Sequence, residues 1–386
     1  MFIEIHLLQS FSASNLNRDD LNNPKETWFG GVRRARVSSQ CFKRAIRTHP
    51  VFTQTIQQRY SPRTKYLSDK LAEILAGKHP QKEIELVTKF FAQKLTGGDT
   101  DSNQTKILLF IGWNEIQMIA EKYMQPAWSF LITEANSLKA DKKAKTPSVD
   151  KMIKDVLAEI KDSPIAPDIA LFGRMLAGKP EFGREAACQV AHAISTHAVK
   201  VEMDFYTATD DEKPEDTAGA GMMGYIGYNS ACYYRYSLLD WRQLLEKKNL
   251  GGNVVLGHLT VNGFLRAMEA ATPTGKKHSF DNNSRPAFLL AVVRKENSPG
   301  WSLVNAFKKP VRESNGSGLM IPSVKALNDY WNTLNTIYGG ESVLATAVCL
   351  ADPNLSAETL QPHLSEAVKP SFKEWVQTVL NALPKE

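Results

Sequence analysis

No stretch of this 386-residue chain approaches the roughly 18 uninterrupted apolar residues that a membrane-spanning helix needs. Its opening, Met1-Phe2-Ile3-Glu4, has no basic segment leading into an apolar run, so no secretory signal is read there. A soluble, cytoplasmic protein without membrane contact is expected. Cysteine is scarce: Cys41, Cys188, Cys232 and Cys349 lie far apart and form no C-x-x-C pair, which speaks against a zinc knuckle or a redox motif. Neither a G-x-S-x-G elbow nor a G-x-x-x-x-G-K-[ST] phosphate loop occurs, and no internal repeat is visible.

Acidic residues are missing from one long region. Between Glu26 and Asp69 there is none, whereas Arg33, Arg34, Arg36, Lys43, Arg44, Arg47, Arg59, Arg63 and Lys65 all fall there. A net charge of +6 says little by itself, but a one-sign field of this density attracts phosphates. A solvated basic face beside a subunit contact would have the same composition. With 42% hydrophobic residues, the chain can bury a substantial core in two or three lobes.

Ile3, Ile5 and Leu7 alternate with Glu4 and His6, the period of a half-buried strand. Residues 12–20 are polar and sustain no period, so a long loop is expected before Phe29-Gly30-Gly31. Arg34 to Val37 reads as extended. Ser38 or Ser39 then caps a helix with Phe42, Ala45 and Ile46 on one stripe and Lys43 and Arg47 on another face. From about 59 to 161 the spacing turns helical, as in Ile84, Val87, Phe90 and Phe91, and predicts a helical insertion. Val190, Ala193, Ile194 and His197 predict another helix within 187–199. Residues 209–221 are acidic and Gly-rich and precede Tyr225, Tyr228, Tyr233, Tyr234 and Tyr236, a pattern for a protruding hairpin that returns as a strand. A strand over 287–293 and a helix over 324–338 follow. The expected fold is an α+β palm with an inserted helical lobe.

Chemistry is sparse. Gly219 to Gly224 matches G-x-G-x-x-G formally, but acidic residues precede it where a buried strand is needed. His192 and His197 are five apart, not the four that share one metal-binding helix face. Asp19-Asp20 and Asp210-Asp211 are adjacent carboxylates in polar loops, with no convergent acidic partner. No catalytic residue, metal ligand or cofactor is therefore assigned. Basic density beside small and apolar residues fits a protein that tracks a single-stranded backbone, neutralising phosphates while bases stack on apolar surface.

Asn17-Arg18-Asp19-Asp20, Phe29-Gly30-Gly31, Arg33 to Gln40 and Lys43-Arg44-Ala45 together resemble the amino-terminal signature of the CasC-type backbone subunits of type I-E CRISPR Cascade complexes. The likeness continues through Asp168 to Met175, Ala191 to His197 and Tyr234-Arg235-Tyr236, in order along most of the chain. It implies an RRM-like (ferredoxin-like) palm over 1–58, helical fingers over 59–186, a palm helix over 187–203, a thumb β-hairpin over 204–232 and the rest of the palm over 233–386.

The function implied is antiviral. Copies of the chain would form a helical filament along a CRISPR guide RNA, holding its phosphates and presenting its bases to target DNA beside other Cascade subunits, without catalysis. Arg18, Lys43, Arg44 and Arg47 fall at positions implied to contact guide phosphates, and Arg34, Arg36 and Arg174 belong to the same implied RNA-binding set. Met175 falls where the family places an apolar residue against displaced RNA, and Met222 and Met223 lie in the implied thumb. Lys139, Lys142, Lys143 and Lys145 resemble a Lys-rich finger tip that meets target DNA. Val32 departs from the pattern, standing where a further basic residue often precedes the arginine pair. The alternative is a CRISPR RNA-processing endoribonuclease with His6, His192 or His197 as acid or base. Backbone holding also has a physical logic, since a guide must keep its base edges free to pair with any target.

Overall fold

The computed structural model describes the chain except for residues 98–101, 142–144, 176–181, 209–221, 297, 299, 314–315 and 386. It has two compact units, one formed by residues 1–55, 189–240 and 261–386, the other by 56–188 and 241–260. The strands are β1 (Phe2–Ser14), β2 (Glu26–Phe29), β3 (Val32–Val37), β4 (Arg63–Thr64), β5 (Leu109–Phe110), β6 (Cys188–Val190), β7 (Ala193–Ser195), β8 (Glu202–Ala208), β9 (Met222–Asp240), β10 (Phe288–Arg294) and β11 (Val343–Leu350).

The fold is mixed α+β around a large antiparallel sheet, ordered β11-β10-β1-β9-β7-β3-β2, with β6 and β8 also paired to β9. The central strand β1 is longer than its alternation predicts, running through Ser14 into the expected loop. Every residue from Ile3 to Leu8 is buried because both faces of the sheet are covered, so the period of two does not mark an open side. On one face Arg235 stacks 4.1 Å from Phe42 of the helix Ser39–Thr48 and also meets Met268 of the helix Val254–Ala270. On the other, Leu8, Tyr234 and Leu290 pack with Val324, Leu327 and Trp331 of the helix Met320–Tyr338.

Glu4 and His6 are wholly buried on that second face. Glu4 accepts from Arg294 Nε at 2.6 Å and from the Trp301 amide at 2.9 Å. The Leu303 amide donates to the Tyr234 hydroxyl, leaving that hydroxyl's proton for His6 Nδ1 at 2.8 Å. Burial drives the His6 pKa down and holds the ring neutral.

The helix expected over 187–203 is instead the two short strands β6 and β7. Ile194 pairs with Tyr234 on one side and Arg36 on the other, so three residues slot between longer strands. Segments this short take their conformation from their partners, and the helical spacing of Val190, Ala193, Ile194 and His197 is incidental.

In the second unit, the helices Leu67–Leu75, Gln81–Thr96, Trp113–Met118, Trp128–Ala140 and Pro147–Asp162 share one core that includes Leu71, Phe91, Ile116, Leu131 and Val156. Among the described residues no helix is long and apolar enough to cross a membrane.

Candidate nucleic-acid interface

Arg18 stands on a turn held by the side chains of Asn15, Asn17 and Asp19. Asp19 Oδ1 accepts from the amides of Leu21 and Asn23, both at 2.9 Å, which makes this carboxylate a turn-former rather than a free ligand. Asn17 Oδ1 accepts from the Ser38 amide, and Asn15 Nδ2 donates to the carbonyls of Asn22 and Gly227. The Arg18 side chain itself is exposed. It lines a cleft of about 590 Å³ with Asn22, Lys276, Tyr206, Tyr225 and Phe280, where Asp204 is the one carboxylate among the described residues.

Lys276 reaches this cleft because residue 275 is glycine. A Cβ there would lie 2.4 Å from the Leu16 carbonyl oxygen and 2.7 Å from that of Asn15, so only glycine lets the turn sit against the Arg18 loop. Sequence reasoning missed Lys276, Tyr206 and Phe280. The available signal was the run Gly275-Lys276-Lys277-His278, some 250 residues from Arg18.

The basic run divides by burial. Arg33 is exposed and paired with Glu26, whereas Arg34 points to the opposite face of β3 and is fully buried. Arg34 Nε donates to the Phe29 carbonyl at 3.2 Å, Nη1 to that of Ser195 at 3.1 Å and Nη2 to that of Phe307 at 2.7 Å. It is a structural tie, not a surface phosphate contact, and burial lowers its pKa. Arg36 is half-buried, donating to the Glu26 carbonyl and to His192 Nδ1. On the next helix, whose start Ser38 caps, Arg44 is exposed and Lys43 half-buried, but Arg47 is buried, facing inward beside Ile46.

Arg174 is likewise turned away from the surface. It is buried in the second unit, bonded through Nη1 to both carboxylate oxygens of Glu115 at 2.8 and 2.9 Å and through Nε to the Phe182 carbonyl. Its neighbour Met175 is 94% exposed. Lys139 and Lys145 are exposed too, while Lys142 and Lys143 lie outside the described residues.

β8 and the start of β9 form a ribbon with Met203 opposite Gly227, Phe205 opposite Tyr225 and Thr207 opposite Met223. Opposed residues share a face, so Met203, Phe205, Tyr225 and Met223 make one stripe, with the Phe205 and Tyr225 rings 5.2 Å apart. All four are exposed, Met223 at 68%, and Met222 is exposed on the reverse face at 59%. These methionines do not pack into the protein's own core.

A family model described as CT1975-like protein matches residues 3–378. The chain belongs to the CT1975-like family. It shares its fold with a chain from a "CRISPR RNA-guided surveillance complex, pre-nicking", at 24% identity over 99% of this chain and 100% of that one, with a TM-score of 0.79. A chain from a second structure, "CRISPR RNA-guided surveillance complex", matches at 22% identity over 99% of both, with a TM-score of 0.61. No curated protein matches.

In this CT1975-like chain the three histidines considered as acid or base differ in access. His6 is sealed in the buried network described above. His197 Nε2 accepts from the Cys232 amide at 3.2 Å, which places its proton on Nδ1, facing the Ala198 carbonyl at 3.0 Å. His192 is exposed, and burial followed by Arg36 and Lys25 lowers its pKa.

Proposed function

We propose that this CT1975-like chain is the guide-RNA-binding backbone subunit of a CRISPR surveillance complex, of the CasC type found in type I-E Cascade, and that it performs no catalysis. The observation that carries the reading is the cleft where Arg18 and Lys276 stand among Tyr206, Tyr225 and Phe280. Cations on a rigid turn, with aromatic rings beside them, suit a ribose-phosphate chain held without reading its sequence. The family and the fold shared with chains of RNA-guided surveillance complexes support the same assignment.

The sheet unit is an RRM-like palm. Along the chain come β1, the helix Ser39–Thr48, β7, β9, the helix Val254–Ala270 and β10, and their strands lie in the order β10-β1-β9-β7, the arrangement of a split βαβ pair. The second unit corresponds to the fingers and the β8–β9 ribbon to the thumb. Arg18, Arg36, Lys43 and Arg44 contact guide phosphates. The ribbon's methionines and Met175 of a neighbouring copy wedge between nucleotides, displacing one base per junction. Exposed lysines such as Lys139 and Lys145 meet target DNA. The protein works in the cytoplasm with the other Cascade subunits.

The test is the salt dependence of RNA binding. Arg18→Ala and Arg44→Ala should each flatten the log–log slope by about 0.7, equally for unrelated RNA sequences. Unchanged slopes, or a loss confined to one sequence, contradict phosphate holding. The endoribonuclease alternative rests on His192, exposed and 3.1 Å from Arg36. RNA cleavage that Mg²⁺, Mn²⁺ or Zn²⁺ supports and His192→Ala abolishes would establish it instead.

A further inference from the structure

The acid-free run does not end with the sheet unit. Its last part, residues 59–66, lies in the helical unit, and its backbone is fastened there at almost every step. The Tyr60 carbonyl accepts from Trp113 Nε1 at 3.2 Å. The Ser61 amide and hydroxyl both donate to the buried carboxylate of Asp168, at 2.9 and 2.6 Å. The Pro62 carbonyl accepts from the Ile111 amide, and the Lys65 carbonyl from the amide and hydroxyl of Thr105. β4 within the segment pairs with β5, Arg63 opposite Phe110.

Fixing the main chain leaves the long side chains outside. Arg59, Arg63 and Lys65 are exposed, and so are Tyr60, Tyr66 and Leu108. Arg59 Cζ lies over the Trp113 ring, 4.0 Å from its centroid, Lys70 approaches the same ring at 5.6 Å, and Arg63 lies over Phe110 at 4.6 Å. A guanidinium held over a ring is confined in place while it keeps N–H groups able to donate to phosphate oxygens. Glu73, bonded to Arg59 and Lys70, offsets part of the charge, whereas among the described residues neither Arg63 nor Lys65 is paired with a carboxylate.

We propose that the segment 59–66, with Trp113 and Leu108, is a second single-stranded nucleic-acid surface, carried by the helical unit and separate from the Arg18 cleft of the sheet unit. The cations fit a phosphate chain, and the exposed Tyr60 and Tyr66 rings fit unpaired bases, which a duplex would not offer. A rigid main chain lowers the entropy lost on binding. The proposal goes beyond guide holding and does not depend on it.

Photocrosslinking of the full chain to a photoreactive oligothymidylate, with peptides mapped by mass spectrometry, tests it. Adducts are expected on peptides containing Tyr60 and Tyr66, and they should persist in an Arg18→Glu/Arg44→Glu variant. Arg63→Glu/Lys65→Glu should remove them, and in direct binding Arg63→Ala/Lys65→Ala should lower the salt slope by about 1.4, for two phosphate contacts. These exposed residues can be changed with the thermal transition unmoved. Absence of adducts in the unaltered protein, or their loss with the Arg18 and Arg44 changes, overturns the proposal. So does competition by poly-glutamate as strong, per charge, as by the oligonucleotide, which would assign the surface to an acidic protein.

Discussion

Replacing Arg34 by Ala separates the two roles that adjacent arginines of one basic run take. Three hydrogen bonds from one charged group vanish, leaving the carbonyls of Phe29, Ser195 and Phe307 without their donor. Bonds to a charged group contribute roughly 1.5–3 kcal/mol each, about 6 kcal/mol for the set. Relief of the desolvated guanidinium, whose burial already lowers its pKa, offsets about half of this. A net loss of about 3 kcal/mol should lower the melting temperature by about 6–12 °C for a unit of this size. RNA affinity of the folded protein should stay within about twofold, because Arg34 is fully buried and presents no N–H group to a ligand. Arg18→Ala should do the reverse, leaving stability within about 0.5 kcal/mol and weakening RNA binding. Differential scanning calorimetry and fluorescence anisotropy on both variants read the contrast. An Arg34→Ala protein that melts normally but binds RNA poorly would refute the division by burial.

Arg174→Met should destabilise the helical unit by about 3–5 kcal/mol by stranding the Glu115 carboxylate, a change visible in hydrogen exchange of the helix Trp113–Met118; unchanged protection there contradicts the ion pair's role. His6, His49, His192 and His197 all have lowered pKa values with burial as the leading cause. Their contribution to stability is complete above the unfolded histidine pKa near 6.5 and is lost as pH falls toward the lower folded values, so melting temperature should drop between about pH 7 and pH 5. A flat profile would mean that these rings titrate in the fold as they do in the unfolded chain. Met223→Asp lies on an exposed ribbon and should leave the monomer's melting unchanged, while abolishing any regular spacing of reactive nucleotides along a bound guide; a Met223→Asp chain that fails to fold would return the residue to a core role.

Charge composition was legible in the sequence, but burial was not. Arg33 and Arg34 read alike as letters, and only strand periodicity, applied to β3, would have set them on opposite faces. Arg174 sits in a motif read as RNA-binding, yet its partner Glu115 lies 59 residues away. The opening strand was recognised from Ile3, Ile5 and Leu7, but its far end was not, since Leu8 and Phe11 are buried by partners on both faces. β6 and β7 are three residues each, too short to show a period; β9 pairs with both, and in β7 Ile194 lies between Tyr234 and Arg36. The helical insertion and the helix Met320–Tyr338 were readable because long amphipathic segments carry their own signal. The Arg18 cleft joins residues from four distant stretches, which no local pattern reveals.

The most direct measurement of the central claim is whether RNA leaves the cell with this protein. Purified from cells that carry a CRISPR array, the chain should bring down one discrete RNA species with several copies of itself on each molecule, and Arg18→Ala/Lys43→Ala/Arg44→Ala should lose that RNA while remaining folded. Recovery of RNA-free protein, or of a random RNA mixture unaffected by the triple substitution, would contradict the account.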